Sequence, residues 1–221
     1  MKASLYRLDV TVPSGLYNPS AHTSVPPLAY AGRVPPPPAA RDKVLDAFEA
    51  ILLAQGERAA TLEAVAAAAG VSKGGLLYHF GSKQALMEGL LERLEALVDK
   101  DVEAMRAAID GPASFYIRTS AYTGSALDRA IVATSRLAQG SHPEAVQALQ
   151  SMRQRWFDVM VAAVEDPAVA RAVMLIGDGL YYNAAMDDGW AGTTSPMQPT
   201  DIDDLLVVVA DLIRSRAPSQ S

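Results

Sequence analysis

The 221-residue sequence contains no cysteine and little histidine. Without cysteine, disulfides, thiolate zinc sites, iron–sulfur clusters and cysteine nucleophiles are all excluded. The three histidines, His22, His79 and His142, lie far apart in the chain and offer no metal-ligand spacing. The sequence therefore predicts a protein without a metal ion or another cofactor.

Long apolar runs are missing as well. The longest uninterrupted stretches, such as residues 205–210, fall far short of the roughly 18 residues that a bilayer span requires. Near the N-terminus, Lys2, Arg7 and Asp9 interrupt any segment that could serve as the apolar part of a signal peptide. We therefore expect no membrane segment and a cytoplasmic location.

An excess of positive charge is also absent, since the net charge is −6. Phosphate binding needs lysine and arginine, so this charge at first argues against a nucleic-acid partner. The distribution is uneven, however: residues 41–83 carry five basic and five acidic side chains, whereas residues 84–221 carry eleven basic and nineteen acidic ones. The pattern indicates an acidic body with a neutral module that alone could approach DNA.

Proline marks the N-terminal region, because residues 1–40 hold eight of the fourteen prolines and show no helical or strand periodicity. We interpret this region as a disordered or polyproline-like arm, either an uninformative tail or a segment that binds a partner. From Arg41 onward the apolar spacing is helical and alternating strand patterns are missing. The sequence thus predicts an all-α fold.

The predicted organisation has two domains. A three-helix DNA-binding domain covers residues 38–98, and a long fourth helix that ends near Ile109 joins it to a helical bundle over residues 99–217. The bundle is predicted to contain helices near 113–121, 125–139, 142–164, 167–187 and 201–215.

Residues 61–80 have the spacing of a helix-turn-helix. Thr61 caps a short helix that ends at Gly70, and Ser72 caps a second helix that runs to about His79. In DNA-binding proteins of this type the second helix enters the major groove, although other helical hairpins can have caps and a glycine at the same positions. Two glycines, Gly74 and Gly75, lie inside the second helix, where each costs about 1 kcal/mol relative to alanine. This cost indicates a close approach to another surface, for which a duplex groove is a candidate.

Residues 69–83, AGVSKGGLLYHFGSK, resemble the TetR family of bacterial transcriptional regulators. The resemblance extends over about residues 38–98. It implies a homodimer with recognition helices in successive major grooves, and a C-terminal domain that binds a small effector and dimerises. The sequence departs from the family pattern at Leu77, where tyrosine is common, and at Gly75, where a hydroxyl or larger side chain often helps to recognise bases.

Carried across by position, the resemblance implies that Lys73 is the best candidate for a base contact and that Lys83 binds a phosphate. The full predicted DNA-binding set is Thr61, Ser72, Lys73, Gly74, Gly75, Leu77, Tyr78, His79 and Lys83. Thr61 and Ser72 are helix caps in either case. The alternative for Tyr78 and Phe80 is packing between the motif helices, and the alternative for His79 is a half-buried structural histidine.

The larger domain carries methionine and aromatic residues that could surround one cavity for an apolar or aromatic small molecule. They are Met105, Phe115, Met152, Trp156 and Tyr181. Ordinary core packing explains the same residues. Arg118 and Arg153 are possible partners of an anionic ligand if they point inward.

The last two predicted helices have apolar faces that exceed the needs of a small bundle, and we expect them to form the dimer interface. Leu205 and Val209 represent this face in the final helix. Gly177 and Gly179 would allow another helix to approach closely.

These patterns predict a ligand-responsive, DNA-binding regulator, most simply a repressor that a small apolar or aromatic effector releases from a palindromic operator. An enzyme is the less favoured alternative, because a nucleophile elbow, phosphate-cradling glycines and a zinc motif are missing from the sequence. The acidic pairs 187–188 and 203–204 are neighbours that point to different sides of a helix. A further alternative is a helical ligand-binding protein whose helix-turn-helix is no longer functional.

Overall fold

The computed structural model describes residues 37–121, 124–140, 142–187 and 199–216. Within these ranges it contains nine helices and no strand, which confirms the all-α fold. The helices are α1 (Pro37–Gln55), α2 (Leu62–Ala69), α3 (Lys73–His79), α4 (Lys83–Ala107), α5 (Gly111–Ser120), α6 (Ala126–Gln139), α7 (Pro143–Val164), α8 (Pro167–Asp187) and α9 (Pro199–Arg216). A short 3-10 turn, Glu57–Ala59, links α1 to α2.

The first helix begins earlier than the sequence pattern predicts. It starts at Pro37 rather than Arg41, so the last residues of the predicted arm are helical. Prolines fit the first turn of a helix, because the N–H group that they lack has no partner inside the helix there. The remainder of the predicted arm lies outside the described residues.

In the N-terminal domain, α1 packs against α2, α3 and α4, and α2 packs against α3. Its fully buried side chains include Phe48, Leu76 and Leu90. Phe80, only 3% exposed, follows α3 and packs on α4 at Gly89, where an added Cβ would lie 2.6 Å from the phenyl Cε1 atom. The packing alternative for Phe80 is therefore confirmed, and Gly89 makes room for its ring.

Arg93 holds α4 to α1 through three carboxylates. Its guanidinium lies 2.6 Å from Asp46, 2.9 Å from Glu49 and 3.3 Å from Asp42. Burial raises the pKa of Glu49, and the hydrogen bond from Arg93 opposes that shift without cancelling it. The first helix and the start of the long helix therefore form one scaffold behind the helix-turn-helix.

In the larger domain α5 and α8 pack closely at Gly177. An added Cβ at this glycine would overlap the ring of Tyr116, whereas one at Gly179 would meet no atom within 4 Å. Gly177 therefore allows close packing inside one chain, and the expectation that it serves a contact between chains is wrong.

The apolar face of α9 is also turned differently from the prediction. Val209 is 2% exposed and Leu205 is half-buried, because both pack on the helical bundle of their own chain. The exposed apolar side chains of the last two helices are instead Leu175, Tyr182, Val207 and Val208, which are 46–63% exposed. These four side chains are therefore large apolar groups that the single chain leaves exposed on α8 and α9.

Candidate DNA interface and ligand cavity

The helix-turn-helix is held by the caps that the sequence predicts. Thr61 Oγ1 accepts a hydrogen bond from the Ala64 N–H at 3.1 Å, and Ser72 Oγ accepts one from the Gly75 N–H at 3.0 Å. Gly70 ends α2 with a φ of 67°, in the left-handed region that favours glycine. Local sequence signals therefore determine both ends of the turn.

Helix α3 turns one side inward and presents the other to solvent. Leu76 is fully buried and anchors the helix, whereas Leu77 is 40% exposed and Tyr78 is 83% exposed. The alternative that placed Tyr78 in the core is therefore wrong. His79 is half-buried, and its ring meets that of Tyr78 edge-on with 5.1 Å between the centroids.

The two glycines of α3 differ in the space that the chain leaves around them. An added Cβ at Gly74 would have Ser72 Oγ, 4.0 Å away, as its nearest neighbour, and one at Gly75 would lie 3.3 Å from the same atom. Both φ values lie outside the left-handed region. Packing inside the chain therefore does not require glycine at position 74.

Both predicted DNA-binding lysines have carboxylate partners that the sequence analysis missed. Lys73 Nζ lies 2.6 Å from Glu63 Oε1, in a pair whose two side chains are more than half exposed. Such exposed pairs contribute little to stability, so Lys73 can exchange Glu63 for a phosphate or a base at small cost. No local spacing signals this pair, because it joins α2 to α3 across the turn.

Lys83 is held more firmly. Its ammonium donates to the backbone carbonyl of Glu57 at 2.9 Å and lies 3.3 Å from the Glu57 carboxylate, which His142 also approaches at 3.0 Å. Partial burial raises the pKa of Glu57, but the hydrogen bonds from His142 and Lys83 outweigh burial and leave that pKa below its usual range. Glu57 therefore connects the start of α4 to the residue that precedes α7.

A cavity of about 900 Å³ lies in the larger domain between α4, α5, α6, α7 and α8. Of the five predicted ligand-binding residues, Met152, Trp156 and Tyr181 line it. Met105 is fully buried in the core, and neither it nor Phe115 belongs to the lining. The structure thus brings three of the five residues together.

The polar groups of the cavity are arranged around two carboxylates. Trp156 Nε1 donates to Asp101 at 2.8 Å, and burial raises the pKa of this aspartate above its usual range. Tyr116 donates its hydroxyl to Asp178 at 3.0 Å, and Arg153 lies 2.7 Å from the other oxygen of the same carboxylate.

The two arginines that were considered for an anionic ligand both have acidic partners. Arg153 lines the cavity beside Asp178, whereas Arg118 pairs with Asp110 outside the lining. Sequence reasoning missed Asp101, although it follows the lining residue Leu97 by one helical turn. Across the described ranges, no cluster of three or more potential ligands could hold a metal ion. Among the described helices, none has the length and apolar character needed to cross a membrane.

A helix-turn-helix exposed on an all-helical body that contains a cavity defines a helix-turn-helix regulatory protein. Comparison with family models gives two matches: residues 44–90 match the bacterial regulatory proteins of the tetR family, and residues 110–190 match the tetracyclin repressor-like C-terminal domain. Together these models cover more than half of the chain. The chain belongs to the TetR family of bacterial regulatory proteins.

Individual relatives agree with this assignment. A curated relative, the HTH-type transcriptional regulator AlkX of Mycobacterium tuberculosis, is 41% identical over 70 residues, which is 32% of this chain and 32% of AlkX. The match therefore spans about a third of that relative.

Two solved structures share the fold. Salmonella enterica GusR aligns with a TM-score of 0.57 at 16% identity, over 82% of this chain and 98% of GusR. The fatty acid degradation regulator FadR from Bacillus halodurans aligns with a TM-score of 0.53 at 15% identity, over 85% of this chain and 98% of FadR. At these identities the two structures support the fold alone.

Proposed function

We propose that this chain is a repressor that binds a palindromic operator as a homodimer and leaves it when a small apolar or aromatic molecule enters the cavity. The observation that carries the proposal is the outward face of α3, where Tyr78 is 83% exposed beside the fully buried anchor Leu76. A short capped helix with such a face is the element that helix-turn-helix proteins insert into the major groove.

The groups available for DNA on this face have distinct roles. Lys73 can donate to the acceptor atoms of guanine, and Tyr78 and Leu77 offer apolar surface and a hydroxyl to the groove or its walls. Gly74 lets the helix backbone approach the bases. Thr61 and Ser72 cap their helices and lie exposed, where their hydroxyls can also reach phosphates.

A homodimer follows from the exposed apolar side chains on α8 and α9. Leu175, Val207 and Val208 are each more than half exposed, which is unusual for helix faces that remain in contact with solvent. A two-fold dimer through this face would use the same surface of both chains. It would place two α3 helices for half-sites one helical turn, about 34 Å, apart. A protein that binds operator DNA would act in the bacterial cytoplasm, where that DNA is located.

Ligand control follows from the shared helices. The cavity volume of about 900 Å³ falls within the usual range for small-molecule sites, about 300–1,000 Å³. Helix α4 contributes Leu97 and Asp101 to its lining and begins beside α3. A ligand that favours a dimer with wrongly spaced recognition helices binds the DNA-free protein more tightly than the DNA complex. By linkage, the ratio of these two affinities equals the factor by which the ligand weakens DNA binding. We propose no catalytic reaction for this cavity.

The decisive experiment selects random duplex DNA with the purified protein and sequences the bound fragments. We expect an inverted repeat whose affinity rises steeply as salt is lowered. The Tyr78→Ala variant should fold as the wild type does and enrich the repeat much less. Metabolites are then screened for release of the repeat. A wild-type selection without a shared motif would contradict the proposal.

A second candidate is a ligand-binding protein whose helix-turn-helix no longer recognises DNA. It is favoured by one observation: Lys73 and Lys83 are both engaged by glutamates of their own chain. Its distinguishing result is ligand binding in the cavity together with an unenriched DNA selection.

A further inference from the structure

One end of the cavity combines negative charge with aromatic walls. Asp101 of α4 reaches the lining beside Trp156, Tyr181 and Asp128, and all four belong to the surface that a bound molecule would meet. Trp156 is 9% exposed, so its indole is fixed in place while one edge faces the cavity.

The carboxylate of Asp101 lacks a cationic partner in the part of the chain that the structure describes. Its hydrogen-bond donor is the neutral indole N–H of Trp156, at 2.8 Å from Oδ2. Burial raises the pKa of Asp101, the hydrogen bond from Trp156 opposes this shift, and the charge of a second carboxylate, Asp128, adds to it. The same carboxylate and burial raise the pKa of Tyr181 to about 12. Asp101 and Asp128 therefore bring two carboxylates close enough to act on each other in this part of the cavity.

A second charged group lies next to these residues, because the rings of Tyr116 and Trp156 meet edge-on with 5.7 Å between their centroids. Arg153 and Asp178 neutralise each other, and the hydroxyl of Tyr116 donates to the same aspartate. The lining also contains Lys100 and Arg136. Asp178 is therefore already paired with a cation, whereas the hydrogen-bond donor to Asp101 is a neutral indole.

We infer that the effector is an organic cation, and that it places an ammonium or related group against Asp101 between Trp156 and Tyr181 while its apolar part fills the rest of the cavity. This inference rests on the proposed function, because it specifies the class of molecule that the same cavity binds.

Two physical effects favour this occupant. A cation beside Asp101 supplies the missing counter-charge inside a partly desolvated site, where ion pairs are stronger than at the surface. The faces of tryptophan and tyrosine attract cations within about 6 Å of the ring centre, and they attract quaternary ammonium groups in the same way. An anion would instead meet Asp101 and Asp128 without compensation, and a neutral molecule would leave the charge of Asp101 unpaired.

The test uses three probes that share a naphthalene ring and differ in charge. They are trimethyl(2-naphthylmethyl)ammonium, the neutral 2-naphthylacetamide and the anion 2-naphthylacetate. Their dissociation constants for the full chain are measured by titration calorimetry in the absence of DNA. We expect the cation to bind at least tenfold tighter than the other two.

Asp101→Asn is the diagnostic variant, because an asparagine oxygen can still accept the hydrogen bond from Trp156 while the charge is lost. We expect at least a tenfold loss of affinity for the cation and less than a twofold change for the amide. Asp99→Asn is the matched control: it removes the same charge from α4, at a residue that pairs with Arg155 and lies outside the cavity lining. This control should leave all three affinities unchanged.

Equal affinities for the three probes, no binding of the cation, or an unchanged cation affinity in Asp101→Asn would each overturn the inference. These results are separate from failure of the proposed function, because the DNA selection is performed without a probe. If the DNA selection enriches a repeat while the three probes bind equally well, the proposed regulatory function stands and the proposed cationic effector is rejected.

Discussion

A Cβ atom on Gly140 would overlap the Glu57 carboxylate, so the end of α6 and the turn before α2 pack together without room for a methyl group. The φ of Gly140 is −84°, which other residues adopt freely, so space rather than backbone conformation explains the glycine. Glu57 in turn binds Lys83 and His142. This contact joins the helix that lines the cavity to the start of α4 beneath the DNA-binding surface.

Gly140→Ala is therefore expected to displace the Glu57 carboxylate and destabilise the fold by about 1–3 kcal/mol, the usual cost of overpacking. For a chain of this size each kilocalorie lowers the melting temperature by about 2–4 °C. Thermal unfolding followed by circular dichroism measures the effect. A melting temperature equal to that of the wild type would show that the junction yields freely and does not couple the domains.

Gly74→Ala is the matched substitution, and it should act in opposite directions on stability and DNA binding. Its Cβ meets no close neighbour, so alanine should stabilise α3 by up to about 1 kcal/mol. The same methyl group must enter the groove, and operator affinity should fall at least fivefold. Unfolding curves and fluorescence anisotropy with the selected repeat give the two values. An alanine variant with undiminished operator affinity would remove the groove as the reason for this glycine.

The exposed pair of Lys73 and Glu63 predicts paired effects on DNA affinity. Glu63→Gln releases Lys73 and removes a negative charge near the duplex, so operator binding should become several-fold tighter. Lys73→Ala should weaken it. If Lys73 also neutralises a phosphate, alanine should reduce the slope of log affinity against log salt by about 1.

Both variants should keep wild-type stability within about 0.5 kcal/mol, because the pair is exposed. Operator titrations at several salt concentrations provide the comparison. Glu63→Gln and Lys73→Ala shifting affinity in the same direction would be incompatible with this assignment.

The dimer surface predicts that Val208→Glu yields folded monomers. Val208 is 57% exposed in the single chain, so the charge is tolerated there but is costly if the residue is buried between two chains. Light scattering measures the mass in solution. Val146→Glu, at a 39% exposed residue on α7, is the control and should remain dimeric. A dimeric Val208 variant would place the interface elsewhere.

The raised pKa of Asp101 predicts that binding of the cationic probe depends on pH. The charged form binds the cation, and burial shifts protonation of this carboxyl to a higher pH than in an exposed aspartate. Affinity should be highest when pH lies well above the raised pKa and should fall as pH drops through it. The groups around Asp101 are the carboxylate of Asp128, the neutral indole of Trp156, and the phenols of Tyr116 and Tyr181, whose raised pKa values keep both phenols uncharged in this range.

Calorimetric titrations of the quaternary ammonium probe between about pH 4.5 and about pH 7.5 measure this dependence. The probe keeps its charge throughout, so any change comes from the protein. In Asp101→Asn most of the dependence should disappear. A wild-type affinity that is flat across the range would count against a charged Asp101 as the binding partner.

The sequence by itself determined the helices and the turns between them. Apolar spacing, the caps Thr61 and Ser72, and the left-handed Gly70 act over four residues or fewer, so their effects can be predicted without knowing the rest of the chain. The same local signals located the DNA-binding module and three residues of the cavity.

Only the tertiary structure decided which side chains meet across the fold. Tyr78 and Phe80 are similar aromatic residues two positions apart, yet the end of α3 turns one outward and the other onto α4. Asp101 meets Trp156 across 55 positions of sequence. Such contacts depend on how helices are packed and rotated, which no pattern within one helix specifies. The charge of the cavity is therefore a property of the assembled bundle.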